Sequence, residues 1–257
     1  MCASREQSYR RQNMGTGSAP SGTSVMPPTS HPRPLPSTRP AALLFDLDGT
    51  LVNTEPLHFA SVVEVLEQCG VAFDQNTYAP YFGWAEVPFW EDLKRVLHLT
   101  TPIPELVTAR SEAYLRLLHA TSIEPLPGVL ELLEWAQQFA IPMAVASSSP
   151  REQIDASLAA AQLADALPIR RSGHDDVVHG KPASDVFHAA AEALGIAAEH
   201  AWAFEDSPTG MAAARASGAF TIGVIEAADA NAYPHADYLC HGGMPHWLEQ
   251  LHSLGLT

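Results

Sequence analysis

The chain has 257 residues, of which 46% are apolar, enough for one large domain or a core with an insertion. Its net charge is −15, from 14 basic against 29 acidic residues, which argues against a body that binds nucleic acid through phosphate contacts. No run approaches the ~18 to 20 consecutive apolar residues of a membrane span, and the scattered Cys2, Cys69 and Cys240 make neither a CxxC pair nor a disulfide framework, a pattern that fits a reducing cytoplasm.

Residues 1–40 hold seven Pro, five Arg and one Glu, with no helical or alternating period. They are expected to form a disordered tail. Their acid-poor makeup has some of the look of a transit peptide, but a dispensable extension or an early start, with Met14 and Met26 as later ones, is the plainer reading. The apolar stretch 41–47 is the first predicted strand. Residues 57–124 then contain no convincing strand. Helices are predicted over 57–69, 87–97 and 104–118, with Phe59, Val63 and Leu66 at helical spacing. This segment is expected to be an α-helical cap inserted after the first strand, with Pro56, Pro125 and Pro127 at its hinges.

Beyond it, helix and strand alternate. A helix over 127–139 leads to a strand over 142–147, a helix over 150–163 and a strand over 167–170. The next helix, 184–194, has Pro182 upstream and Gly195 just past its end. A strand over 201–204, a helix over 208–216, strands over 220–225 and 237–239, and a helix over 246–254 complete the series. The alternation predicts an α/β fold, a doubly wound parallel sheet with helices on both faces. The core is expected over 41–56 and 125–257 and the cap over 57–124. In such sheets ligands bind at the carboxyl ends of the strands.

The chemistry concentrates at those ends. Asp46 and Asp48 follow the first strand, and Glu205 and Asp206 follow the strand AWAF. Two acidic pairs at one sheet edge suit a hard divalent cation such as Mg²⁺, which takes oxygen ligands and cancels their repulsion. Asp46 and Asp206 are the first candidate ligands. Mg²⁺ commonly keeps waters and substrate phosphate as further ligands, which points to a phosphorylated small molecule. Ser147, Ser148 and Ser149 stand where a strand meets a helix N-terminus, a setting that suits an anion. Lys181, in HGKPASD, adds a point charge at another such junction.

The segments DLDGT at 46–50, ASSSP at 146–150, HGKPASDVF at 179–187 and FEDSPTGMAAARASG at 204–218 resemble, in order, the four motifs of the haloacid dehalogenase superfamily. The resemblance spans roughly residues 41–240, and the inserted helices resemble the helical-cap branch that holds sugar-phosphate phosphatases and β-phosphoglucomutases. It implies a Rossmann-like core and a Mg²⁺-dependent phosphatase. Asp46 would be the nucleophile that becomes an aspartyl phosphate, and Asp48 the general acid and then base, with its carbonyl on the metal. Ser147 and Lys181 would hold the phosphoryl oxygens, and Asp206 would bind Mg²⁺ with Glu205 beside it. Gly49 and the backbone around Ser148 and Ser149 would lie against substrate, and Thr54 and His58 would position Asp48. To start as an acid, Asp48 is expected to have a raised pKa. Dehalogenases of the superfamily lack the second aspartate, so Asp48 argues against that activity.

Substrate choice is expected in the cap. Gly83, Trp84, Phe89 and Trp90 are the candidate contacts. β-Phosphoglucomutases carry a cap arginine soon after the glycine; here GWAEVPFW has no Arg or Lys before Lys94 and Arg95, which favours a simple sugar- or polyol-phosphate phosphatase over a mutase. A phospho-accepting receiver-type module or an inactive binding protein is the alternative of another class, disfavoured by the 68-residue insertion and the GT after Asp48. The expected partners are a phosphorylated small molecule and, at most, copies of the same chain, as a monomer or small homo-oligomer.

Overall fold

The computed structural model describes residues 33–81, 84, 86–225 and 232–257. Gly83 and tail residues 1–32 lie outside these. Among the described residues, six strands form one parallel sheet: β1 (Ala42–Phe45), β2 (Met143–Ser147), β3 (Ile169–Ser172), β4 (Ala201–Glu205), β5 (Phe220–Ile225) and β6 (Tyr238–His241). Their spatial order is β3-β2-β1-β4-β5-β6. Phe45 is in register with Val145 of β2 and Phe204 of β4, so the carboxyl ends of the three central strands sit side by side.

The strands alternate large and small side chains, and the two faces differ accordingly. Leu43, Phe45, Met143, Val145, Trp202, Phe204 and Ile222 build one core. Helices α5 (Val129–Gln138), α6 (Arg151–Ala160) and α9 (Met244–Ser253) cover it through Leu132, Ile154 and Trp247. On the other face Ala42, Leu44, Ala144, Ala146, Ala201 and Ala203 give a low surface. There α7 (Asp185–Ala193) and α8 (Pro208–Ala216) pack with their own alanines, at close range because little side chain intervenes. Trp247, fully buried, meets Trp202 edge-on at 5.2 Å between ring centres.

Between β1 and α5 run α1 (Glu55–Gln68), the short α2 (Gln75–Tyr78), α3 (Glu86–Leu97) and α4 (Ile103–His119). Val62, Leu66, Phe89, Trp90, Leu93 and Leu106 give them a core of their own. They meet the sheet body along α4 and α6, where the Tyr114 hydroxyl lies 2.9 Å from Ser157 Oγ and Gln153 Nε2 donates to Ser111 Oγ at 3.1 Å. No described helix is long and apolar enough to cross a membrane.

The tail expected over residues 1–40 is corrected over 33–40, which pack on the body. Arg33 Nε donates to both oxygens of Asp237 at 3.0 Å, and the Asp237 side chain is fully buried. Arg39 Nε donates to the Leu256 carbonyl at 2.9 Å, and its guanidinium stacks 3.5 Å from the centre of the Phe139 ring. The anchors are guanidinium groups among prolines, which leave no hydrophobic period to read.

Candidate active site

β1 hands the chain to Asp46, whose amide donates to the Phe204 carbonyl at 2.9 Å and locks it beside the end of β4. Across the gap Lys181 Nζ lies 2.5 Å from Asp46 Oδ1 and 2.6 Å from Glu205 Oε1. Glu205 Oε2 accepts from the Ser207 amide and hydroxyl, both at 3.0 Å. Both Glu205 oxygens thus have protein partners. Asp206 completes the group: one carboxylate oxygen each from Asp46, Glu205 and Asp206 falls within a 4.8 Å cluster.

The packing there leaves no room for larger residues. Gly49 has φ +85°, and a Cβ on it would fall 2.1 Å from Asp206 Oδ2. A Cβ at Gly210 would fall 1.7 Å from Glu205 Oε1. Burial pushes the Asp46 and Asp206 carboxyls well above the ordinary range, and the neighbouring carboxylates push the same way. Burial alone would lower Lys181, but Asp46 and Glu205 outweigh it and hold its ammonium charged. Three recessed carboxylates against one ammonium leave negative charge uncompensated. This all-oxygen donor set fits a hard divalent cation such as Mg²⁺.

Asp48 faces a different company. Its Oδ1 accepts from the Thr54 hydroxyl and lies 3.3 Å from His58 Nε2, and its Oδ2 accepts from Ser149 Oγ at 2.8 Å. Thr54 is the N-cap residue of α1 but makes no side-chain cap bond, because its hydroxyl is committed to Asp48. Burial would raise the Asp48 carboxyl; His58, Thr54 and Ser149 together bring it down to about 2. The raised value expected from the sequence is therefore corrected. Three donors converge on this carboxylate and hold it as an anion.

A cavity of about 390 Å³ opens between the strand ends and helices α1, α3 and α4. Asp46, Asp48, Lys181, Glu205 and Asp206 form its floor, Ser148 and Ser149 one side, and His58 and Trp84 the helical side. Ser147 lies beneath this lining, fully buried, with its Oγ accepting the Ser149 amide at 3.0 Å. Trp84 is 51% exposed at the rim and Phe89 reaches the wall. Trp90 does not: it is 0% exposed within the core of α1, α3 and α4, and its expected substrate contact is corrected to a packing role. Phe89 and Trp90 are neighbours on α3 and point about 100° apart, so Phe89 reaches the cavity wall while Trp90 does not.

Arg110 lies outside the stretch just after Gly83 in which the sequence offers no cation, and no motif marks it. Lys94 bonds the Thr100 and Thr101 carbonyls and Arg95 pairs with Asp92. Arg110, on α4, reaches the cavity instead. Its Nη1 donates to Glu86 Oε1 at 2.9 Å, and its Nη2 lies 3.0 Å from His58 Nδ1. His58 stacks on Tyr114 with 4.4 Å between ring centres. The available signal was an arginine four residues after Leu106 and four before Tyr114, within a buried stripe.

The model of the haloacid dehalogenase-like hydrolases matches residues 40–218. The validoxylamine A 7'-phosphate phosphatase of Streptomyces hygroscopicus subsp. limoneus is 32% identical over 199 residues, covering 76% of this chain and 91% of its own. The fructose-1-phosphate phosphatase YqaB of Escherichia coli K12 is 31% identical over 188 residues, covering 72% and 97%. Among solved structures, CbbY from Rhodobacter sphaeroides in complex with phosphate superposes with a TM-score of 0.69 at 26% identity, covering 79% and 94%. With its carboxylates, lysine and serines gathered at one sheet edge, the chain belongs to the haloacid dehalogenase-like hydrolase family.

Proposed function

We propose that the protein is a Mg²⁺-dependent phosphatase that hydrolyses a small sugar or polyol phosphomonoester through an aspartyl-phosphate intermediate. The observation that carries this is the division of labour between two carboxylates two residues apart. Asp46 is paired with Lys181 on the cavity floor; Asp48 is held by Thr54, His58 and Ser149. The relatives named as phosphatases of phosphorylated carbohydrates support the same reading.

Asp46, Asp206 and the Asp48 carbonyl would hold the ion, with Glu205 direct or through water. When bound, Mg²⁺ supplies charge neutralisation for the phosphoryl oxygens. Lys181 orients Asp46 and offsets its charge. The Asp46 carboxylate attacks phosphorus, and the substrate alcohol departs with a proton from Asp48. A water then gives its proton to Asp48 and attacks the aspartyl phosphate, releasing phosphate and restoring Asp46. Asp48 needs a proton for the first step. The dianionic phosphoryl group arriving beside it favours that protonation over the substrate-free arrangement. Ser148, on the cavity wall after β2, provides donors for the transferring oxygens, and the helices over 57–124 serve as a cap that limits water access.

A mutase is the second reading, favoured by one observation: Arg110 places a guanidinium on the cavity wall. Its pairing with Glu86 weighs against it, since a bisphosphate needs unspent positive charge. The test is phosphate release from sugar and polyol monophosphates with Mg²⁺ and with EDTA, with β-glucose 1-phosphate and glucose 6-phosphate followed together. Isomer formation without phosphate release would replace the phosphatase with the mutase.

A further inference from the structure

Among the described residues, two buried side-chain atoms of cavity-lining residues have no hydrogen-bond partner. Glu55 Oε1, at the start of α1, is a buried acceptor; Arg110 Nε, on α4, is a buried donor. Glu55 also interacts with the Tyr78 hydroxyl. The remaining Arg110 nitrogens are committed to Glu86 and His58. Glu55 and Arg110 also feel each other's charge, which puts them in one electrostatic neighbourhood. A buried polar atom without a partner keeps its desolvation penalty, so a ligand that satisfies both atoms is favoured over one that satisfies neither.

Hydroxyl groups both donate and accept, and so match this pair. An ammonium could serve only Glu55. A second phosphate could serve only Arg110, and would bring its charge against Glu55 and Glu86. We infer that Glu55 and Arg110 determine specificity for the alcohol half of the substrate, taking an uncharged, hydroxyl-bearing group at the helical wall, with Glu86 holding Arg110 away from a second phosphate. This deepens the phosphatase reading and rests on it.

The test is steady-state kinetics with Mg²⁺ for wild type, Glu55→Ala and Glu55→Gln. Substrates are sorbitol 6-phosphate, fructose 1-phosphate and glycerol 1-phosphate, with p-nitrophenyl phosphate as the ester lacking hydroxyls. Glu55→Ala is expected to lower kcat/KM for the best polyol ester by about tenfold or more, mainly through KM. Turnover of p-nitrophenyl phosphate should change by less than about twofold, which also reports a folded site. Glu55→Gln, which keeps an acceptor, should recover part of the loss. Equal losses on both ester types, no loss on either, or a wild type that cleaves p-nitrophenyl phosphate but no polyol ester would each overturn the inference and leave the phosphatase standing. A wild type that cleaves no ester overturns both.

Discussion

Lys181 Nζ stands 2.5 Å from Asp46 Oδ1, two residues separated by 135 positions in sequence. The lysine is surrounded by acid and shielded from water, so its charge is fixed and its work is electrostatic. Replacing it with Met removes the one ammonium that offsets Asp46 and Glu205. Turnover should fall by about a hundredfold or more. The variant should also melt lower without metal, and Mg²⁺ should raise its Tm by more than it raises that of wild type, because ion binding to the folded state adds stability. Calorimetry with Mg²⁺ and with EDTA measures both; an unchanged Mg²⁺ shift would place the ion elsewhere.

Thr54 gives its hydroxyl to Asp48 and not to the end of its helix. Thr54→Val should therefore lower kcat by about tenfold or more with little change in KM. Loss of an ordinary threonine N-cap costs about 1 kcal/mol, and here no such cap is present to lose. Chemical denaturation beside kinetics separates the outcomes: a variant destabilised but fully active would mean the hydroxyl serves the fold.

Glu86 neutralises Arg110 inside the cavity. Glu86→Gln should free the guanidinium, and charge-assisted bonds to phosphate are strong. The KM for fructose 1,6-bisphosphate should fall by about tenfold relative to that for fructose 1-phosphate. A ratio that does not move would show that the pair has no part in substrate choice.

Trp84 and Trp90 should separate cleanly. Trp90→Ala opens a large hole among Phe89, Val62 and Leu93 and should cost about 3–5 kcal/mol of stability. Trp84→Ala, at the rim, should leave stability within about 0.5 kcal/mol and raise KM. Urea unfolding and KM for both variants decide; a reversed pattern would contradict the assignment of wall and core.

The strap over residues 33–40 makes its own prediction. A chain begun at Met26 keeps the bonds from Arg33 to Asp237 and from Arg39 to Leu256; one begun at Ala41 loses both. Asp237 would then keep Arg215 alone among its two arginine partners. The shorter chain should melt several degrees lower, since about 1 kcal/mol shifts Tm by roughly 2–4 °C at this size. Equal Tm values would show that the strap contributes nothing.

Much of the sheet was legible because its strands are short apolar runs punctuated by proline and glycine, and each acidic or serine motif sits where such a run ends. The carboxyl-end rule then gathers Asp46, Lys181, Glu205 and Asp206 without any knowledge of distance. What periodicity does not carry was missed. Arg33 and Arg39 anchor through carbonyls and one buried acid. Arg110 belongs to the site through a helix packing that brings α4 beside α1. Trp84 and Trp90 look equivalent in the sequence and differ only by the turn of the chain. Asp48 was expected to be raised because its role asks for a proton, whereas its pKa answers to its neighbours, and Thr54, His58 and Ser149 are all donors in contact with it.

Phosphorylation of Asp46 is the step on which every other role in the site depends. The most direct measurement is a rapid acid quench of enzyme turning over a ³²P-labelled polyol monophosphate with Mg²⁺, followed by intact mass and hydroxylamine treatment. A hydroxylamine-labile phosphoryl group is expected on Asp46, absent from Asp46→Asn and absent with EDTA. Phosphate release with no trapped label at Asp46, together with near wild-type turnover by Asp46→Asn, would contradict it.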